Sequence, residues 1–276
     1  VLDPEFLEGL NEAERGQVSF CLFSADQPIA ERTEEIRLLA RDEWGGFGAM
    51  APLLAAFVMP NDPCVARIIK EAGNSLAAYG HSSALDGYQS QDPRRAYILG
   101  AAIWSAISKL RLTYAEPPRS FEKYGQKVRR PKTVVDEGLA TCLDTSLLFA
   151  AALEAVGLNP VILLLDDHSF TGFWLTRKTF PNLIETDPGE VRKALAGNEI
   201  VVFETTSITH NPPSTFDDAR SIARGLLSEQ EEDRFVASID VARARQAQIK
   251  PMASHQRSVG GSDETGAGDE ATSLPL

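Results

Sequence analysis

Cysteine is scarce in this chain. There are three, at positions 21, 64 and 142, far apart and odd in number. With no Cys-x-x-Cys pair, they support neither a disulfide framework nor a cysteine-based zinc site. Long apolar runs are also missing. No stretch approaches the roughly 20 residues that a membrane-spanning helix needs, and no basic segment leads into an apolar one at the start. Positive charge is in deficit, with 27 Lys and Arg against 39 Asp and Glu, a net charge of −12. That balance argues against a nucleic-acid surface, which needs clustered Lys and Arg. The densest basic run, "KYGQKVRRPK" from Lys123 to Lys132, reads as a solvated loop. Histidine is rare, and no His/Cys/Asp cluster has ligand spacing, so neither a metal nor another cofactor is expected. A reducing, cytoplasmic setting is the expectation.

What remains is ordinary for a globular protein: 276 residues, 43% hydrophobic and 24% charged. Positions 1–44 read as a small β segment, the expected end of a preceding domain. "GQVSFCLFS" alternates in the manner of a strand, with Cys21 a small side chain on it, and "RTEEIRLLARDEW" leans toward strand. Helical patterns follow. "MAPLLAAFVM" stops at Pro60. Asp62–Pro63 and Asp92–Pro93 each offer an N-cap followed by Pro at the first helical position. Cys64 falls in the first turn of the former helix, without a histidine partner in view. "TYAEPPRSFEKYGQKVRRP" reads as an extended loop. Three apolar strands are expected at 160–165, 168–175 and 199–206. A helix capped by Asp187 lies between the last two, and one or two surface helices cover 214–248. The Gly- and acid-rich stretch 253–276 is expected to be disordered.

The informative stretch is "DEGLATCLDTSLLFAAALEAVGLNP". Thr141 and Asp144 have capping-box spacing, which puts Cys142 at the first helical position. Backbone N–H groups there lack intrahelical partners, and the helix dipole favours an anion. A thiol so placed titrates below its free value, and the same N–H groups can hold an oxyanion. Leu143, Leu147, Leu148, Ala151 and Leu153 make the helix apolar nearly all round, hence central. Cys142 is therefore either a held nucleophile or one more small core residue.

His168 follows a buried strand and an acidic turn and begins the next strand, an order suited to a thiol–imidazole pair. Two acids compete to orient its ring. If the strands at 168–175 and 199–206 pair antiparallel, Glu204 comes near His168. A carboxylate on so apolar a strand also needs a partner. Asp187 is the rival, already accounted for as a helix cap. Glu204 is favoured. Gln126 is a structural loop residue or an oxyanion donor, and Trp174 is a core residue or a wall of the site. His81, His210 and His255 have no recognisable partner spacing and receive no role.

In this order the core segments resemble the transglutaminase-like, papain-like cysteine enzyme superfamily. More closely, "EWGG", "AAFVMPNDP", "GYQS", "PPRSFEKYGQKVR", "TCLDTSLLFAAALEAVGLNP" and "ETTSIT" are similar to the transglutaminase-like module upstream of superfamily 1 helicase regions in large bacterial proteins, some linked to phage defence. The resemblance covers residues 40–252. It implies an α+β fold with a central helix packed on an antiparallel sheet, preceded by extra helices, in a cysteine enzyme domain spanning 45–252. It also implies that Cys142 is the nucleophile and His168 the base, while Glu204 stands where the superfamily usually has Asp. Ala140 replaces the Gly common two residues before the cysteine. The implied activity is cleavage of a protein or peptide amide bond through an acyl-enzyme thioester, within a longer polypeptide. Alternatives are an inactive interaction module and a protein-crosslinking acyltransferase.

Overall fold

The computed structural model describes residues 4–252. The expected disordered tail at 253–276 lies outside the described residues, as does His255. The chain opens with a short helix α1 (Pro4–Gly9) and a long hairpin, β1 (Glu14–Ser24) and β2 (Gln27–Leu38). Ala25 and Asp26 take positive φ at its turn, the backbone that a two-residue hairpin loop requires. Phe20, Leu22, Phe23 and Ile29 are all exposed on this ribbon, and so is Cys21.

Next come β3 (Glu43–Trp44) and a 3-10 helix over Gly48–Phe57, where a longer apolar helix pattern was expected. Pro52 lies inside it, and proline removes a backbone donor and blocks a regular α-helical ladder. Two regular helices, α2 (Pro63–Ala78) and α3 (Pro93–Ser108), start at Asp62 and Asp92, whose side chains accept from Cys64 N and Arg94 N. The 113–131 stretch is not the extended loop expected. It contributes β4 (Thr113–Tyr114) and β5 (Gln126–Lys127), and α4 (Pro131–Glu137) and β6 (Leu139–Ala140) follow. β5 pairs antiparallel with β3, and β4 pairs parallel with β6. The basic run is not solvated throughout, since the Lys127 and Arg129 side chains are only 7% and 10% exposed. Each has carboxylate partners, Glu12 for Lys127 and Asp144 for Arg129, which is what makes burying a cation tolerable.

The central helix α5 (Cys142–Ala155) has the expected capping box and ends before Gly157, which takes φ +83°. Leu147, Leu148, Phe149 and Leu153 on it are at most 2% exposed. Each such side chain contributes about 1.5–3 kcal/mol by leaving water. After it come β7 (Pro160–Leu165), β8 (Ser169–Trp174), β9 (Ile184–Glu185), α6 (Pro188–Ala196) and β10 (Ile200–Phe203). α7 (Phe216–Leu226), β11 (Phe235–Asp240) and α8 (Val241–Gln246) close the described chain.

The molecule is thus mixed α and β. Its main sheet has five strands in the order β10-β8-β7-β11-β9, all pairs antiparallel. Two of these strands were not foreseen. β11 lies in a segment read as surface helix, because its run of acidic and Arg-Ala-rich flanks hides the strand; Ala237, Ser238, Ile239 and Asp240 are all buried. One sheet face packs on α5 through Thr171 and Phe173, and the other carries Phe170 and Trp174 into a second core with Ala223 and Val191. α3 also comes close to the sheet at Gly100, where a Cβ would meet the Phe173 ring at 2.3 Å.

Candidate active site

The helix start is fixed first. Thr141 Oγ1 accepts from Asp144 N at 3.0 Å, and Asp144 Oδ2 accepts from Thr141 N at 2.9 Å. Asp144 is fully buried but not unpaired. It also accepts from the Arg129 N–H at 2.8 Å and from Arg129 Nη1 at 3.0 Å. Removing one partner of a buried pair of this kind costs about 3–5 kcal/mol. The first turn of α5 is therefore pinned from outside as well as capped from within, and Cys142, half-buried, opens it.

His168 sits in the tight turn between β7 and β8, where its carbonyl accepts from Leu165 N at 2.8 Å around the loop Asp166–Asp167. Glu204 is the residue after β10. The β10–β8 register runs Ile200↔Trp174 to Phe203↔Thr171. Continued by one residue, it sets Glu204 opposite Phe170 and diagonal to His168, rather than directly facing it as a flush antiparallel pair would. Glutamate's longer reach covers that diagonal, and His168 Nε2 meets Glu204 Oε2 at 2.7 Å. The other Glu204 oxygen accepts from Thr206 N at 2.8 Å and from Thr206 Oγ1 at 2.7 Å, at the head of a 3-10 helix, Thr205–Thr209.

With Nε2 committed to Glu204, the Nδ1 side of the ring is left for the sulfur, and His168 hydrogen-bonds Cys142. The charges follow. Burial pushes the Cys142 thiol up, but hydrogen bonds from His168 and from the hydroxyl and N–H of Ser169, with the imidazolium charge, outweigh it and leave the thiol below its ordinary range. Burial pulls His168 down, yet its bonds to Cys142 and Glu204 push it up to about 10. Burial raises Glu204 as well, and His168 and Thr206 more than reverse that. The three shifts favour the charged form of each group: thiolate at Cys142, imidazolium at His168 and carboxylate at Glu204.

Asp187, the rival acid, caps α6 by accepting from Gly189 N at 2.7 Å; no described contact brings it to His168. Gln126 lies in β5 opposite Trp44, and no described contact joins it to Cys142. Trp174 is at the far end of β8 from His168, buried, with its indole N–H donating to Asp240 at 3.1 Å. It is a core residue. Cys64 is buried in the first turn of α2 and held above its ordinary range by burial and then by Asp62.

Two participants were not foreseen. Tyr114 stands on β4, which pairs with the strand leading into Cys142 (Tyr114↔Ala140). Its hydroxyl lies within electrostatic reach of the Cys142 sulfur. Burial first, then the negative charge of Cys142, raises its pKa. Ser169 is the other. It belongs to a buried chain of hydroxyls: Ser146 Oγ donates to the Cys142 carbonyl at 2.8 Å and lies 3.4 Å from Ser169 Oγ and 3.2 Å from Thr205 Oγ1. Thr145 Oγ1 is 2.9 Å from Thr205 Oγ1. These hydroxyls tie α5, β8 and the turn after Glu204 together. A polar residue on the helix-facing side of an apolar strand was the available signal for Ser169. Tyr114 had none, since its contact depends on the β4–β6 pairing.

Among the described residues no group of three or more His, Cys, Asp or Glu could hold a metal ion, and no helix is long and apolar enough to cross a membrane. No family model, curated protein or solved structure matches this chain.

Proposed function

We propose that the chain is a cysteine-dependent hydrolase of protein or peptide amide bonds, built on a transglutaminase-like core. The observation that carries this reading is the convergence of Cys142, His168 and Glu204, drawn from a helix start, a strand turn and a strand end. A structural cysteine needs no imidazole, and a structural histidine needs no buried carboxylate. The three together match an activated nucleophile.

In the proposed reaction the Cys142 thiolate attacks the substrate carbonyl carbon, forming a C–S bond and an oxyanion. The Cys142 N–H and the Tyr114 hydroxyl are placed to receive that oxyanion. Collapse breaks the C–N bond while His168 gives its proton to the departing amine. Water then adds to the thioester with His168 taking a proton, and the second collapse releases the acid and restores the thiolate–imidazolium pair. Glu204 holds the ring and its charge throughout. An amine in place of water would make the same thioester a crosslinking intermediate. Hydrolysis is preferred because no acyl-acceptor site is marked.

The test is a thiol-reactive acyl probe on the full chain. Labelling confined to Cys142 and lost in His168→Ala supports the enzyme. Absence of labelling, or equal labelling of Cys21 and Cys64, supports an inactive interaction module instead. The resemblance places such a module in a longer bacterial protein of helicase or defence type, and a partner cleaved by the wild type but not by Cys142→Ala would name the substrate.

A further inference from the structure

A cleft of about 400 Å³ opens between the segment Arg111–Thr113 and the segment Ile208–Asn211. Both walls belong to elements already at the site. The first runs directly into Tyr114, and the second begins four residues after Glu204; β4 and the 3-10 helix that carries Ile208 and Thr209 touch each other. Thr113 and Tyr114 are neighbours on a strand, so their side chains leave it on opposite sides. The cleft and the Tyr114 hydroxyl are therefore on opposite sides of β4, and the cleft does not enclose the sulfur. Other cavities lie elsewhere. The two that include Arg177 open beyond Trp174, about 20 Å from His168 at strand rise.

The chemistry of the lining is one-sided. No carboxylate lines the cleft, although the chain carries a net charge of −12. Thr209 Oγ1 already donates to the Thr206 carbonyl at 2.8 Å, and His210 Nδ1 is 3.2 Å from Ser214 Oγ. That leaves the Arg111 guanidinium, the Asn211 amide, the Thr113 hydroxyl and the second ring nitrogen of His210 among the lining groups without a side-chain partner. Arg111 is exposed and pairs with no carboxylate among the described residues. A guanidinium is a rigid fork that matches a carboxylate through two parallel hydrogen bonds.

We propose that this cleft is a specificity subsite for an acidic side chain of the peptide substrate, held by Arg111 with support from Asn211. The proposal rests on the peptide-hydrolase reading of Cys142. Arg111 is three residues from Tyr114, a span of at most about 10 Å, so an extended substrate covers the distance in about three residues.

The test uses the full chain and acetylated, amidated pentapeptides Ala-Ala-X-Ala-Ala with X as Glu, Gln or Lys. Each is measured for protection of Cys142 against iodoacetamide and, independently, for binding by the chain through fluorescence anisotropy of a labelled form. The expected result is that the Glu peptide protects and binds at a concentration at least fivefold lower than the Lys peptide. Arg111→Glu reverses that order, Arg111→Gln abolishes it, and Asn211→Ala weakens Glu binding a few-fold. Alkylation without peptide stays unchanged in all three variants. Equal affinity for the Glu and Lys peptides, or a Glu preference that survives in Arg111→Gln, overturns the subsite. Equal binding by an all-Ala peptide with a free C-terminus also overturns it, because the carboxylate recognised would then be a chain end. If Cys142 proves unreactive, the hydrolase reading fails and the anisotropy series still decides the subsite.

Discussion

Cys64 and Cys142 occupy nearly the same local position. Each lies in the first turn of a helix, behind an N-cap with an oxygen side chain, Asp62 in one case and Thr141 in the other. The helix dipole favours a thiolate at both, although the Cys64 N–H is already taken by the Asp62 carboxylate. Their chemistry is nonetheless opposite. Cys64 is buried, its neighbour is a carboxylate, and its thiol is pushed up. Cys142 is half-buried, its neighbours are an imidazolium, a serine and a tyrosine hydroxyl, and its thiol is pulled down. A helix N-terminus is a permissive place for a nucleophile, and the partners arriving from other elements decide the outcome. A single pKa unit is worth 1.36 kcal/mol, more than most dipole contributions at a surface.

The comparison can be broken most forcefully by removing each sulfur in turn. Cys142→Ala should abolish acylation and turnover, a loss on the order of 10⁴-fold or more. Cys64→Ala should leave kcat/KM within about twofold and lower the melting temperature by a few degrees, through about 1–2 kcal/mol of lost packing. A Cys64→Ala variant as inactive as Cys142→Ala would defeat the contrast.

The second way is to take away the imidazole. In His168→Ala the terms that lower the Cys142 thiol vanish while burial, which raises it, remains. The midpoint of its pH–alkylation curve should therefore rise from its native position below the ordinary value of 9.0. At pH 6.5 the iodoacetamide rate should fall at least tenfold, whereas Cys64 stays unreactive in both proteins. An unchanged curve would mean that the helix start alone activates the thiol.

Glu204→Gln comes next. It removes the charge that raises His168, so the His168 midpoint, about 10 in the native chain, should drop toward 6.5. Turnover should decline by about 10²–10⁴-fold. Asp187→Asn is the matched control. It should cost at most about 1 kcal/mol of stability through the α6 cap and leave alkylation unaltered. Tyr114→Phe should lower kcat by about tenfold with little change in KM if the hydroxyl meets the oxyanion. Smallest of all, Asp62→Asn removes the neighbouring charge that helps to raise Cys64. Burial, the larger, stays, so iodoacetamide should still fail to label it; appreciable labelling would show that charge rather than burial keeps that thiol silent.

Much of this site was legible in the residues. The capping box at Thr141 and Asp144, the apolar helix behind Cys142 and the strand pattern beginning at His168 are local signals that depend on spacing along one element. The case for Glu204 rested on the cost of leaving a carboxylate unpaired on an apolar strand, and its contact with His168 bears out that cost. What escaped notice was non-local. β11 was hidden because a buried strand flanked by charge does not advertise its period. Arg129 looked solvated because its partner Asp144 is 15 residues on. Tyr114 and Ser169 carry no pattern, since each meets the sulfur only after another strand has paired.

The residue order by itself determined where helices start, which helix is central and which few side chains were candidates for a shared site, because capping and periodicity act within a few residues. Tertiary structure alone decided that Cys142 and not Cys64 gains an imidazole, that Glu204 and not Asp187 meets it, and that an arginine-lined cleft opens alongside. Those outcomes depend on distances between segments far apart in the chain, and electrostatics in a buried site changes steeply with such distances.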